Sequence, residues 1–292
     1  MSPERRGVAL AILSAAGFGT LAIFGRVAEA AGLSIPTLLA YRFTLAVPMV
    51  WGYLGWRGRL RVLHGRRLGV ALALGALGYA AMSGLFLWGV SLLNAGLAGI
   101  LLYTYPAMVV VIAAAVLDER VTVRTVAAVV VAMAGVALVS GAQPRWIDPL
   151  GIAVLLAAAV VYASYISVSR VVLDQVDAAV LTAHVIPAAG ASFVAYGAVR
   201  GTLSLPTTVA QWGIVVGVAA LATAIPILAF FSAVALIGAS RTSVVSTFEP
   251  VFTVALGVAI LGEPLTVATV VGGAAVVAGV LLVQSREAGG DA

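Results

Sequence analysis

Two charged side chains lie deep inside apolar stretches of this 292-residue chain, and they are the first candidates for chemistry. Glu249, counted from Ala239 at about 1.5 Å per residue, lies about 15 Å into a helix, near the middle of a bilayer core of about 30 Å. An ionised carboxylate at that depth is costly, so it must be partnered or protonated and must face protein or water. Three roles fit it: contact with a substrate amine, proton coupling, or structural capping of backbone donors beside Pro250.

Arg42 is the second buried charge. It lies about seven residues, or about 10 Å, into its own helix. From that depth a long arginine side chain can reach the membrane interface, where Glu29 or a lipid phosphate would pair with it. The alternative is a contact between Arg42 and the carboxylate of a substrate.

Aromatic and small polar residues also lie inside the apolar stretches rather than at their ends. Buried tyrosine hydroxyls need hydrogen-bond partners, and a group of tyrosines around a cavity would suit an aromatic or apolar solute with a few polar groups. Ordinary helix packing is the competing interpretation. The predicted substrate-binding residues are Tyr79, Ser83, Tyr103, Tyr105, Tyr162, Phe230 and Glu249.

Helices inside a membrane must hold these residues, because the chain is 63% hydrophobic and only 9% charged. No residue from 68 to 117 or from 201 to 240 is charged, and each run can supply two spans of about 20 residues. Odd and even positions in these runs are both apolar, whereas the strands of a membrane barrel alternate polar and apolar residues, so the runs are expected to be helices. The sequence predicts an all-α integral membrane fold with ten transmembrane helices. Their expected bounds are about 7–28, 35–55, 68–90, 95–117, 123–141, 149–169, 178–199, 211–235, 239–261 and 265–284.

The chain repeats itself at an interval of 144 residues, which maps Ala95 onto Ala239 and Gly135 onto Gly279. The chain therefore consists of two sequence repeats, residues 1–144 and 145–292. Each unit holds five spans, an odd number, so the second copy must enter the membrane from the opposite side. This predicts an inverted repeat of the kind found in secondary transporters, with the substrate site near the midplane.

Two prolines and two glutamates occupy matched positions in the copies. Pro106 and Pro250 are expected to be hinges that help the halves rock, with a static kink as the alternative. Glu119 and Glu263 are expected to be structural carboxylates that cap the helices following them.

The arginines set the predicted topology. With the N-terminus inside, twelve of the 16 basic residues fall in inner segments, three fall in outer segments, and Arg42 lies within a span. This bias places both termini in the cytoplasm and the protein in the cytoplasmic membrane, which is the inner membrane of a two-membrane cell. Because these arginines lie in short loops, the net charge of +5 does not indicate nucleic-acid binding.

Several chemistries have no residues to support them. The chain has no cysteine, no metal-ligand pattern, no Walker sequence, and no nucleophile with an adjacent base, so we expect no cofactor, no metal and no enzyme activity. The expected partners are a small-molecule substrate and membrane lipid. The small residues of spans five and ten suit scaffold or oligomer contacts, in a monomer or weak homodimer.

The segment Phe248-Glu249-Pro250-Val251-Phe252, followed by the stretch from Leu261 to Thr266, resembles the signature of the EamA type of the drug/metabolite transporter superfamily. The first copy carries a weaker form at Tyr105 and Pro106. The resemblance implies ten spans in two inverted EamA repeats around a central cavity. Within that family the chain looks most like bacterial exporters of aromatic and other neutral amino acids.

The expected function is export of amino acids or similar small metabolites by alternating access. A proton-coupled multidrug or metabolite exporter, with Glu249 as the titrating group, is the alternative. A membrane-embedded enzyme or sensor is a remote third possibility, which the missing catalytic groups disfavour.

Overall fold

The computed structural model describes residues 2–93, 95–117, 119, 121–140, 148–262 and 264–284, and every regular element within these ranges is a helix. Glu263, for which the sequence predicted a capping role, lies outside the described residues, as does the C-terminal segment 285–292. The helices are α1 (Pro3–Ala30), α2 (Ile35–Trp56), α3 (Gly65–Leu92), α4 (Ala95–Leu102), α5 (Tyr105–Val116), α6 (Val123–Ser140), α7 (Pro149–Leu173), α8 (Ala178–Val199), α9 (209–237), α10 (239–246), α11 (Glu249–Leu261) and α12 (Val267–Gln284).

Within the described ranges, six helical stretches are long and apolar enough to cross a membrane. Three shorter apolar helices, Val123–Val139, Glu249–Leu261 and Val267–Leu282, accompany them. Such lengths match a hydrocarbon core of about 30 Å. The chain is accordingly an all-helical, multi-pass membrane protein.

Helix bounds recur at the sequence interval of 144 residues. Adding 144 to both ends of α4 gives both ends of α10, and the same shift takes α6 onto α12. The first residues of α3 and α5 map likewise onto those of α9 and α11. Even the wide π-helical turns correspond approximately, at Leu74–Ala80 in α3 and Ala220–Ala224 in α9.

Small residues let two of these helices meet backbone to backbone. A Cβ atom placed on Gly135 of α6 would lie 2.6 Å from the carbonyl oxygen of Gly272 in α12. A Cβ atom on Gly279 would lie 2.8 Å from the carbonyl oxygen of Ala128. Close approach of this kind stabilises helix association in a bilayer. Lipid tails are as apolar as the side chains, so there is no hydrophobic driving force between helices and close packing takes its place. Spans five and ten, for which the sequence predicted scaffold or oligomer contacts, thus pack on each other within the chain.

Glu119 is a structural carboxylate, as predicted, but the helix that it caps is α10 rather than α6. Its carboxylate accepts hydrogen bonds from the backbone N–H groups of Ala239 (2.8 Å) and Ser240 (3.1 Å) and from the Ser240 hydroxyl (2.7 Å). The N-terminus of α6 is instead capped by Thr122, whose Oγ1 accepts from the N–H of Thr125 at 3.2 Å. A carboxylate from the first half of the chain therefore fixes the start of a helix in the second.

The turn that Glu119 stabilises requires glycine. Gly238 has φ +80°, a conformation that side chains with a Cβ rarely adopt. A Cβ atom there would also lie 2.8 Å from Glu119 Oε1. The break expected between the spans 211–235 and 239–261 is thus present at Gly238, and it separates α9 from α10.

Candidate functional site

Six of the seven side chains predicted to bind substrate line one internal cavity of about 270 Å³, and Arg42 lines it with them. The six are Tyr79, Ser83, Tyr103, Tyr105, Tyr162 and Glu249. The lining comes from α1, α2, α3, α4, α5, α7 and α11 and from the turn between α4 and α5. Both halves of the chain therefore contribute to the walls.

Two helix breaks shape the cavity. One separates Leu102 from Tyr105, and the other separates Ser246 from Glu249, so the predicted spans 95–117 and 239–261 are each two helices. Pro106 and Pro250 are the second residues of α5 and α11, where a missing N–H is harmless because the first turn lacks intrahelical acceptors. The prolines therefore start new helices instead of kinking continuous ones, and their hinge role stays a prediction.

Glu249 is the first residue of α11, where the positive end of the helix dipole favours a carboxylate. The hydroxyl of Tyr103 and the guanidinium of Arg42 both interact electrostatically with this carboxylate. The ion pairs found in the described part of the chain do not include one between Arg42 and Glu249. The two charges thus face a common cavity without neutralising each other through direct contact.

A glycine brings α1 close to the start of α11. A Cβ atom on Gly19 would lie 2.8 Å from Cβ of Phe252 and 3.2 Å from the carbonyl oxygen of Glu249. The hydroxyl of Thr253 in turn donates to the carbonyl oxygens of Gly19 (3.3 Å) and Glu249 (3.1 Å). Any larger residue at position 19 would push apart the two helices that set the position of Glu249.

Arg42 is 1% exposed and does not reach toward the interface, contrary to the pairing with Glu29 or lipid that its depth suggested. Its Nε donates to Oγ1 of Thr223 (2.9 Å), and its Nη2 donates to the carbonyl oxygen of Ala222 (3.0 Å) and the hydroxyl of Tyr79 (3.2 Å). Ala222 and Thr223 belong to the π-helical turn of α9, whose wider ring leaves a carbonyl available to an outside donor. That acceptor, which the sequence did not reveal, holds the guanidinium inside the protein.

The tyrosines of the cavity form a continuous aromatic series. The ring centroids of Tyr103 and Tyr105 lie 6.0 Å apart, and those of Tyr105 and Tyr162 lie 4.6 Å apart in an edge-to-face arrangement. Tyr165 extends the series, at 5.9 Å from Tyr162 and 6.0 Å from Tyr79. Edge and face contacts of this kind hold rings in fixed orientations, so the aromatic wall is preformed.

Phe230 is not among the residues that line this cavity. It is 2% exposed and packs in the buried core, with its ring centroid 6.0 Å from that of Phe231. Conversely, three residues of α1 that were not among the predicted binding residues line the cavity, namely Phe18, Leu21 and Gly25. The spacings of three and four residues place those three on one helix face, and that pattern is the signal by which they could have been found.

The lining can make a limited set of interactions. It offers one carboxylate, one guanidinium and several hydroxyl groups among otherwise apolar side chains. These groups can hold an ammonium, a carboxylate and a ring or aliphatic chain. Within the described ranges no three His, Asp or Glu side chains are grouped so that they could hold a metal ion.

Comparison with known proteins identifies relatives over nearly the whole chain. The model of the EamA-like transporter family matches twice, at residues 5–141 and 149–285. The uncharacterized transporter YcbK of Bacillus subtilis (strain 168) is 27% identical over 267 residues, covering 87% of this chain and 85% of its own. An uncharacterized transporter of Archaeoglobus fulgidus is 26% identical over 199 residues, covering 66% and 69%.

A solved structure described only as "Crystal structure of protein" has a similar fold. It superposes with a TM-score of 0.81 at 20% sequence identity, covering 94% of this chain and 95% of that one. Its likeness extends to the fold alone.

Proposed function

The chain belongs to the EamA-like transporter family, and from that premise we propose that it exports aromatic and other neutral amino acids, or similar small metabolites, by alternating access. Membership makes it a transporter and not an enzyme. The substrate class is our inference from the cavity, and export as the direction of transport follows from the resemblance to bacterial amino acid exporters.

One observation carries the proposal: Glu249 and Arg42 both line a cavity whose other walls are largely aromatic and aliphatic. A neutral amino acid at pH 7 presents one ammonium, one carboxylate and one uncharged side chain. Glu249 would receive the ammonium. Arg42 uses Nε and Nη2 for contacts within the protein, so Nη1 would donate to the carboxylate in a charge-assisted hydrogen bond.

The size of the cavity also favours a small solute. Its volume of about 270 Å³ is below the range of about 300–1,000 Å³ that is usual for drug-sized ligands. An amino acid suits this space better than a nucleotide-linked sugar does. A sugar nucleotide would also need several cations for its phosphates, and Arg42 is the one cationic residue in the described lining.

We further propose that ten transmembrane helices form two inverted repeats, in residues 1–144 and 145–292, with both termini in the cytoplasm. The two matches of the family model and the recurrence of helix bounds at 144 residues support this arrangement. The bias of arginines supports the orientation and the cytoplasmic membrane.

A proton-coupled exporter of drugs or metabolites is the second candidate. The observation that favours it is that Glu249 is the one carboxylate among the described lining residues. A lone carboxylate at membrane depth is a usual element of proton-coupled pumps.

The test is uptake of labelled amino acids into proteoliposomes, with and without a pH gradient. We expect counterflow of a neutral amino acid without a gradient, and a loss of about tenfold or more in Glu249→Gln because the ammonium loses its partner. The matched control is Glu29→Gln, which changes an exposed carboxylate and should transport normally. Strict dependence on the gradient, abolished by Glu249→Gln, would favour the second candidate, and no transport of any amino acid would refute the first.

A further inference from the structure

A second, larger cavity lies between α2, α3 and α8, with a volume of about 750 Å³. Its floor on α3 consists of Ala76, Ala80 and Gly84, which lie four residues apart and so share one helix face. A Cβ atom on Gly84 would meet nothing within 4 Å. Small side chains therefore leave an open apolar groove along this helix.

The groove is elongated and has about the depth of one membrane leaflet. Its lining on α3 extends from Ala76 to Ser91, which corresponds to about 22 Å along a helix axis. Half of a bilayer of about 40–45 Å, counted with its headgroup regions, is about 20–22 Å. An extended hydrocarbon chain of one leaflet would therefore fit along it, whereas a compact solute would leave most of it empty.

One end of the groove carries a positive charge. Arg200 caps the C-terminus of α8 and lines the groove together with Pro36 at the start of α2 and Ser91 near the end of α3. The Arg200 side chain is exposed, and no hydrogen bond or ion pair joins it to a residue that the structure describes. No carboxylate is among the described lining residues, so this end of the groove has a net positive charge.

Aromatic rings flank the same end. Trp88 is 50% exposed and Tyr196 is 56% exposed, and both line the groove. Indole and phenol side chains prefer the level of the lipid headgroups. These rings and Arg200 therefore lie where the phosphate of a lipid headgroup would be, and the apolar floor on α3 lies where its acyl chain would be.

We propose that this groove binds an anionic phospholipid from the leaflet on the Arg200 side, with its phosphate paired to Arg200 and one acyl chain lying along α3. Ile35, Leu39 and Leu87 line both the groove and the internal cavity. The bound chain therefore packs against the wall of the transport site. This proposal does not depend on which solute the transporter carries.

Native mass spectrometry of the purified protein tests the proposal. The protein is equilibrated with equal amounts of phosphatidylglycerol and phosphatidylcholine of the same chain length, and the retained lipid is identified. We expect one phosphatidylglycerol to be retained, preferred by about fivefold because one arginine near the surface attracts an anionic headgroup. Arg200→Gln should abolish the preference, and Gly84→Leu should abolish retention by filling the groove.

Two matched controls separate this site from lipid bound elsewhere. Arg61→Gln removes another exposed arginine, and Gly52→Leu enlarges another glycine whose Cβ would meet nothing within 4 Å. Both should retain phosphatidylglycerol as the wild type does. Equal retention of the two lipids by the wild type, or unchanged retention in Gly84→Leu, would overturn the proposal.

If Gly84→Leu fails to fold, the arginine variants decide. Arg200→Lys keeps the charge and should restore the preference that Arg200→Gln loses. An unchanged preference in Arg200→Gln would overturn the proposal regardless of the behaviour of Gly84→Leu.

Discussion

Replacing Glu119 with alanine should destabilise the protein by removing the cap of α10. The Glu119 carboxylate accepts hydrogen bonds from two backbone N–H groups, of Ala239 and Ser240, and from the Ser240 hydroxyl. Loss of a helix N-cap costs about 0.5–2 kcal/mol, and a hydrogen bond to a charged group contributes about 1.5–3 kcal/mol. The cap consists of these same hydrogen bonds, and the Glu119 side chain is 21% exposed, so we expect a loss of about 2–4 kcal/mol in the free energy of unfolding for the whole set.

Thermal unfolding in detergent, followed by tryptophan fluorescence, measures this loss. At about 2–4 °C per kcal/mol for a chain of this size class, Tm should fall by roughly 4–16 °C. The Tm of Glu119→Gln, which keeps an acceptor oxygen, should fall by less. The control Glu29→Ala removes an exposed carboxylate and should have the Tm of the wild type.

A double mutant separates the cap from the strain of the turn. Gly238→Ala should also lower Tm, because its Cβ would lie 2.8 Å from Glu119 Oε1 and its φ is +80°. In the Glu119→Ala background the same change should cost less, since the clash is gone while the backbone strain remains. An unchanged Tm in Glu119→Ala, or equal effects of Gly238→Ala in both backgrounds, would refute this account of the turn.

Three further outcomes are expected. Arg42→Lys should fold but lose transport, because one ammonium group cannot make the guanidinium contacts in the turn of α9 and also reach the solute. Uptake assays and size-exclusion profiles check this, and full transport activity would contradict it. Gly272→Leu should prevent folding, because its Cβ would lie 2.6 Å from the carbonyl oxygen of Gly135, and a monodisperse, active variant would count against the packing of α6 on α12. Pro250→Ala should slow turnover without changing affinity for the solute if the start of α11 is a hinge; equal turnover would leave the proline as a static helix start.

Much of the internal cavity was predictable from the sequence. Charged groups and tyrosine hydroxyls are costly at membrane depth, so they lie together where they have hydrogen-bond or ionic partners. That argument selected Tyr79, Ser83, Tyr103, Tyr162 and the others that line one space. Phe230 was included for its aromatic ring alone, and a ring without a polar group is equally stable in the core.

The position of Arg42 and the partner of Glu119 could not be predicted from the sequence. Arg42 is held by a carbonyl exposed at a π-helical turn, and no residue pattern marks such a turn. Glu119 caps a helix 120 residues further along the chain, so its partner depends on tertiary packing. The capping chemistry was predictable from the residue type, but the helix that receives it was not.

Competition in a counterflow assay shows whether one solute bridges Glu249 and Arg42. Proteoliposomes take up a labelled aromatic amino acid while one of three related compounds competes with it. The compounds are the unlabelled amino acid, its decarboxylated amine and its deaminated acid. We expect the amino acid to compete and each analogue to compete at least about tenfold less well, because each analogue leaves one buried charge without a partner. Equal competition by the amine or by the acid would contradict this expectation.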